Sequence, residues 1–459
     1  MNNYSSRSLF ASWPFYSRAL KIALPVMTQQ LIQNFVSLID NFMVAGLGDI
    51  KMSGVNVAGQ IFFNFLIVIN TLCASAGIFM SQFKGANDKE GMRQSFKFKI
   101  LITGILGLSF SAVCFYAPRS LFNLMVTKNA DAQAILDQCQ AYSKAVSLSW
   151  IFMVISQSIA SSLREIESVK APLIISVIAT LTNTFFNWVL IYGHFGCPRL
   201  EVIGAGYATV IARFVELILF ISYIIIKKSP FLFNIIDLFK IKFDLFKKIF
   251  LKSGMILYSE LFWALSETIS NALYNTRGGA EVVSGMASGF AIANLFFIAM
   301  GGIVTSVTVI LGQELGAGNL EEAKSYKRWF LSGSVVFGTI FLLVGLLTTF
   351  LVPVVFSNLT IEAQKISKGL IIVAAIYMPL WAFLNAQYSI SRTGGDTTMG
   401  VICDTVGNVL FISGMVLLTF FTSFNPVIMY AIVKISDVPK STIAHFWLKK
   451  ERWLVNLTK

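Results

Sequence analysis

The 459-residue chain is short of charge, of histidine and of patterned cysteine. Charged residues make up 13% of it, against about 25% in an ordinary globular domain. With a hydrophobic share of 56%, that excludes a standard soluble protein. Histidine occurs twice, as His194 and His445, far apart in the chain. Neither a histidine-rich metal centre nor an imidazole acid–base pair is supported. The five cysteines (Cys73, Cys114, Cys139, Cys197 and Cys403) lie singly, with no metal-ligand spacing and no disulfide framework. Paired acidic motifs of the Asp-x-x-Asp type at a membrane face, which a membrane-embedded prenyl or glycosyl transferase needs, are missing, so an enzyme is not expected. Extended period-2 alternation is rare, which argues against a β-barrel. The N-terminus lacks a compact signal-peptide core and a small-residue cleavage site, so the first span is expected to act as an uncleaved signal anchor.

What the chain does have is long apolar runs. At 1.5 Å rise per residue, about 20 apolar residues cross a hydrocarbon core roughly 30 Å thick. Twelve such spans are read: 21–46, 55–83, 97–118, 138–162, 170–192, 204–226, 250–275, 284–312, 328–352, 367–390, 398–421 and 425–447. The last carries Lys434, Asp437 and Pro439 and is expected to be kinked or partly interfacial. The fold class is therefore an all-α polytopic membrane protein.

The net charge of +13 follows membrane topology rather than nucleic-acid binding. With the N-terminus inside, 26 Lys/Arg fall on the inner side and eight on the outer, the eight including Lys51, Arg119, Lys128 and Arg199. That excess places both termini in the cytoplasm. The remaining two of the 36, Arg213 and Lys434, are assigned to spans. The inner connection 227–249 is apolar and basic, as an amphipathic linker on a lipid surface would be.

The two halves on either side of that linker repeat. Residues 78–93 align without a gap to 309–324, matching Gln82 with Gln313, Gly85 with Gly316, Ala86 with Ala317 and Glu90 with Glu321. The same offset of 231 matches Gly48 with Gly279, Gly54 with Gly285, Phe65 with Phe296 and Ser75 with Ser306. Arg164 and Arg392 also fall at equivalent places, between the fourth and fifth span of each half. An even number of spans per half makes these parallel repeats about an axis along the membrane normal. The expected organisation is two pseudo-symmetric six-helix lobes: 1–226, the linker 227–249, and 250–459.

One residue is costly from the outset. Asp40 lies within the first span, and a carboxylate in that position costs about 2.5–3.5 kcal/mol on insertion scales. It must face protein or water, so a functional role is the default reading.

Pro25 with Asp40 and Gly48, the repeated Gln-x-x-Gly-Ala turn, GAGYAT at 204–209 and SELFW at 259–263 together resemble the multidrug and toxic compound extrusion (MATE) family, over about residues 20–459. The resemblance implies export of organic cations and other amphiphiles across a bacterial cytoplasmic (inner) membrane by antiport against Na⁺ or H⁺. It implies cationic or amphipathic drugs and membrane lipids as partners, no nucleic acid, a monomer, and no cofactor beyond the coupling ion. By resemblance, Asp40 is the N-lobe ion or proton site, with Na⁺ as one occupant. Asn183, Asn187 and Thr209 are its neighbours, although the two asparagines equally suit interhelical hydrogen bonding. Some relatives carry Asp where Asn187 stands; this chain has Asn there, which argues against a two-carboxylate proton relay. In the C-lobe the resemblance points to Glu260 and Asp404, the latter expected to have few charges near it. Secondary candidates are Glu267, seven residues after Glu260 on the same helix face, Gln30, which falls on Glu260 at an offset of 230, and Asn385. Arg213 and Glu216, three apart, read as a structural pair. The alternative within the same broad superfamily is a flippase for lipid-linked saccharides, which would carry a strongly cationic cavity.

Overall fold

The computed structural model describes residues 8–126 and 131–459. Lys128, counted above on the outer side, lies outside the described residues. Every described regular element is helical. In chain order the α-helices are α1 (Trp13–Ala45), α2 (Asp49–Gly85), α3 (Lys89–Tyr116), α4 (Pro118–Val126), α5 (Ala132–Val146), α6 (Ser149–Glu165), α7 (Lys170–Tyr192) and α8 (Glu201–Ile226). They continue with α9 (Phe243–Tyr274), α10 (Ala280–Ala317), α11 (Leu320–Thr348), α12 (Val352–Val355), α13 (Ile361–Thr393), α14 (Thr398–Phe421), α15 (Pro426–Val433) and α16 (Asp437–Lys449).

All twelve expected spans have a helical counterpart. Several helices start before the apolar run does: α1 begins at Trp13 rather than 21, and α3 at Lys89 rather than 97. A helix needs continuous backbone bonding, whereas hydropathy registers only the part in hydrocarbon. Among the described residues nine helices are long and apolar enough to cross a membrane, or ten with α5 and α6 counted as one bent span. The two spans that fail this test are α9 and the broken α15–α16 pair, and these carry Glu260, Glu267, Lys434, Asp437 and Lys440.

Among the described residues, two spans are interrupted near their middle. The fourth bends by 55° between α5 and α6. No proline sits at the break; instead the Ser147 and Ser149 hydroxyls donate to the carbonyls of Lys144 and Val146, three residues back. Such back-bonding offers the carbonyls a partner other than the helix ladder. The twelfth span is broken at a single 3-10 turn, Lys434–Ser436, between α15 and α16, as the charges there led us to expect.

The chain forms two compact units. One comprises Thr28–Met80 and Asp88–Ile249; the other comprises Met1–Met27, Ser81–Asn87 and Phe250–Lys459. In the first, α3 packs on α6, α7 on α8, and α5 and α6 on α8, around Phe62, Cys114, Phe122, Cys139 and Trp150. The linker side of this unit is strapped to α3: Arg93 and Lys97 donate to the carbonyls of Leu232 and Lys240, and Gln94 caps the Lys242 amide. In the second, α13 is the hub, packing on α10, α11 and α16, around Phe296, Met300, Trp381, Phe411 and Tyr430.

The repeat recurs as packing within each unit. A Cβ on Gly54 would meet Gln138 at 2.5 Å, and one on the matched Gly285 would meet the Ala363 carbonyl at 2.7 Å. The Gln-x-x-Gly-Ala turns have a sharper reason. A Cβ on Gly85 would lie 1.9 Å from the Gln313 carbonyl, and one on Gly316 would lie 1.8 Å from that of Gln82. Both turns belong to the second unit, where only glycine allows this crossing. Gln82 completes it by donating to the Thr393 carbonyl and accepting from the Leu457 amide.

Candidate functional site

In the first unit, the C-terminal part of α1 carries Asp40 opposite α7. The Asn187 amide nitrogen donates to Asp40 Oδ1 at 2.7 Å and also approaches Asn183 Oδ1 at 3.3 Å. Asn187 is buried, and its own carbonyl oxygen has no hydrogen-bond partner. A buried amide oxygen left unpaired is costly, so a cation or donor entering here would satisfy it.

Asp40, Asn187 and Thr209 line one cavity of about 610 Å³, together with Asn41, Asn56, Gln60 and Tyr142. Thr209 Oγ1 donates to the Ala205 carbonyl at 3.0 Å, one helical turn back. Tyr142 lines the same cavity as Thr209. Asn183 does not line the cavity and touches the group only through Asn187. Gln30 does not line it either; the neighbouring Gln29 is tied across to Ser176 of α7 at 2.7 Å. Asp40 is the one carboxylate among the lining residues, and the other polar side chains there supply neutral oxygens. Such a set suits a hard monovalent cation or a proton. Among the described residues no group of three His, Cys, Asp or Glu could hold a metal. Arg213, one turn beyond Thr209, puts positive charge near Asp40, but its guanidinium is bonded to the buried Glu216 at 2.7 Å. The expected structural pair is present.

Asn41, Asn56, Gln60 and Tyr142 were not anticipated. Asn56 and Gln60 sit four apart on α2 and so share a face, a signal available in the sequence. Tyr142 carried none, since its arrival depends on how α5 packs.

The three candidate acids of the second unit are arranged differently: each has a basic partner. Glu260 on α9 meets Arg392 on α13 at 3.0 Å. Glu267 meets Lys434 at 2.7 Å. Asp404 accepts from the Tyr388 hydroxyl at 2.9 Å and lies 3.8 Å from Lys440. Lys440 also approaches Asp437 at 3.5 Å and Asn408 at 3.0 Å. This corrects two expectations. Asp404 does have neutralising charge beside it, and Arg213 and Lys434 are not the only basic groups within the helices. Lys99, Arg392 and Lys440 are helical too, and Lys99 is fully buried against Ser161 and Ser162. The physical reason is that charge pairing across helices is invisible along the chain: Lys440 is 36 residues from Asp404, and Arg392 is 132 from Glu260. Asn385 donates to the Trp381 carbonyl one turn back, while Gln387 exchanges hydrogen bonds with Ser441 and joins α13 to α16.

A family model described as MatE matches the chain twice, at residues 25–189 and 256–417. The two matches begin 231 residues apart, the offset of the internal repeat. The chain is 25% identical over 315 residues to a probable multidrug resistance protein NorM of Thermotoga maritima, covering 68% of this chain and 66% of that protein. It is 24% identical over 306 residues to the multidrug resistance protein NorM of Vibrio cholerae, covering 65% of each. The chain thus spans just under two thirds of the length of these relatives. A crystal structure described as MATE in the straight conformation superimposes with a TM-score of 0.83 at 18% identity, covering 98% of this chain and 99% of that one, which establishes the fold. With the family model matched in both halves and across most of the sequence, the chain belongs to the MatE family.

Proposed function

We propose that the protein is a secondary active exporter of organic cations and amphiphiles, driven by antiport of Na⁺ or H⁺ and working by alternating access. The observation that carries this reading is the cavity of the first unit. There one carboxylate, Asp40, stands among neutral oxygens, with the Asn187 carbonyl buried and unpartnered. A proton or Na⁺ bound there cancels the charge of Asp40. Drug cation and coupling ion then compete for one negative charge, which links inward ion flow to outward drug release. The multidrug-resistance names of the NorM relatives support drugs as the substrate class.

Glu260 and Asp404 enter this scheme through their partners. Glu260 is paired with Arg392, and Asp404 with Lys440 while it accepts from Tyr388, so an ion reaching either would first have to displace a fixed charge. Asp40 is therefore the primary coupling site and the C-terminal acids are secondary. A lipid-linked saccharide flippase would present unpaired cations to an anionic headgroup; Arg392, Lys434 and Lys440 are each paired instead. The protein is read as a monomer in the bacterial cytoplasmic membrane, with both termini inside.

Everted vesicles loaded by the protein test this reading. A pH gradient and a Na⁺ gradient are imposed separately and ethidium uptake is followed. One gradient is expected to drive uptake in the wild type, and Asp40→Asn to reduce it at least tenfold. Wild-type rates in both Asp40→Asn and Glu260→Gln would sink the carboxylate scheme.

A further inference from the structure

Lys434 sits in an unusual place for a lysine on a membrane span. It occupies the single 3-10 turn that breaks the twelfth span, and it is buried to 9% exposure. Its ammonium lies 4.6 Å from the Phe411 ring centroid, 5.4 Å from that of Tyr430 and 5.8 Å from that of Trp381. Glu267 Oε1 closes the set at 2.7 Å. Next to Tyr430 stands Tyr274, whose ring is 6.2 Å away and whose buried hydroxyl has no hydrogen-bond partner.

Three aromatic faces within about 6 Å of one cationic centre, with a carboxylate beside it, is the arrangement that recognises ammonium groups. A plain ion pair holding α15 to α9 would need only Glu267 and Lys434. The aromatic walls and the unpartnered Tyr274 hydroxyl exceed that requirement. A 3-10 turn within a longer helical run also marks a hinge, so a small rotation there would carry the lysine out along its flexible four-carbon stem.

We propose that this cage in the second unit is an organic-ammonium site that the protein keeps filled with its own Lys434, and that an exported ammonium cation occupies it when Lys434 swings out. The proposal rests on the reading of the protein as an exporter of organic cations. It adds where such a cation is held in the second unit and which residue decides what enters. Glu267 supplies the charge, Trp381, Phe411 and Tyr430 the faces, and Lys434 the competition. Amines able to shed their hydration are favoured, and anions and neutral amphiphiles gain nothing from the cage.

The test uses the full chain in detergent and radiolabelled tetraethylammonium in equilibrium dialysis. Lys434→Ala is expected to bind it at least tenfold more tightly than wild type, and the double variant Lys434→Ala, Glu267→Gln to lose that gain. Lys434→Met, which refills the cage with a neutral chain, is expected to show no gain. Equal binding by wild type and Lys434→Ala would overturn the proposal. Should Lys434→Ala not fold, the wild type serves. Amine-reactive ester labelling of Lys434, read by mass spectrometry, is expected to rise at least fivefold on adding tetraethylammonium, and unchanged labelling would overturn the proposal. Ethidium export by the same wild-type preparation in vesicles is scored separately. Export without cage binding rejects the cage alone, whereas cage binding without export rejects the transport reading alone.

Discussion

Asn187 shows how much one side chain decides. It gives Asp40 a hydrogen bond and leaves its own buried oxygen without a partner, so Asn187→Ala removes the donor to Asp40 and the proposed ion ligand together. Its expected effect is a loss of at least tenfold in apparent affinity for the coupling ion, with drug binding by the purified protein less affected. Ion titration of ethidium export in vesicles measures the first, and direct ethidium binding the second. Arg392 makes the opposite point, about stability. Arg392 and Glu260 form a half-buried ion pair; removing one partner leaves the other charge only partly hydrated, at a cost below the roughly 3–5 kcal/mol of a fully buried pair. Arg392→Gln should therefore lower the melting temperature in detergent, and adding Glu260→Gln to it should restore most of the loss. If the double variant melts as low as the single one, the pair is not what Arg392 stabilises. Asp40 was legible in the sequence because a lone acid in an apolar run is anomalous by itself. The Arg392 and Lys440 pairings were not, because they depend on the register between helices that the chain order does not record.

At the level of elements, the twelve spans were readable because the cost of leaving water is set residue by residue. The bend in the fourth span was not, since its cause is two serine hydroxyls turned back on carbonyls, a rotamer choice rather than a composition. The repeated Gln-x-x-Gly-Ala turn lies between these cases. Its recurrence was visible, but its reason, a backbone crossing too close for any Cβ, needed three dimensions. Gly316→Val is therefore expected to reduce the yield of folded, monodisperse protein several-fold, because the obstruction is backbone on a second turn rather than a pliable side chain. Gly104→Ala in α3 is the control: nothing lies within 4 Å of its Cβ position, and a helix-interior Gly→Ala change is worth about 0.5–1 kcal/mol in favour of the helix. Melting temperature and size-exclusion profile, measured on both variants, separate the two. A Gly316→Val protein with wild-type yield and stability would mean the crossing opens at no cost.

For the molecule as a whole, the number of charges in the cavity limits what can drive the proposed transport. Asp40 is the sole carboxylate among the residues lining it, and Asn187 stands where a second acid would make a pair. One carboxylate takes up one monovalent ion. Exchange of that ion for one monovalent drug then moves no net charge, and the membrane potential, worth about 2.3 kcal/mol per charge per 100 mV, contributes nothing. Export of a monovalent cation in vesicles clamped with valinomycin and K⁺ should therefore change less than twofold between 0 and 100 mV, while the ion gradient alone sets its extent. Asn187→Asp alters that balance. A second carboxylate bonded to the first brings either a shared proton or a second ion. If a second ion enters, each cycle carries one uncompensated charge, and the steady accumulation ratio should gain up to roughly 50-fold per 100 mV. Potential-dependent export by the wild-type protein would show that more than one ion enters per drug, and would move the second coupling site to the paired acids of the other unit.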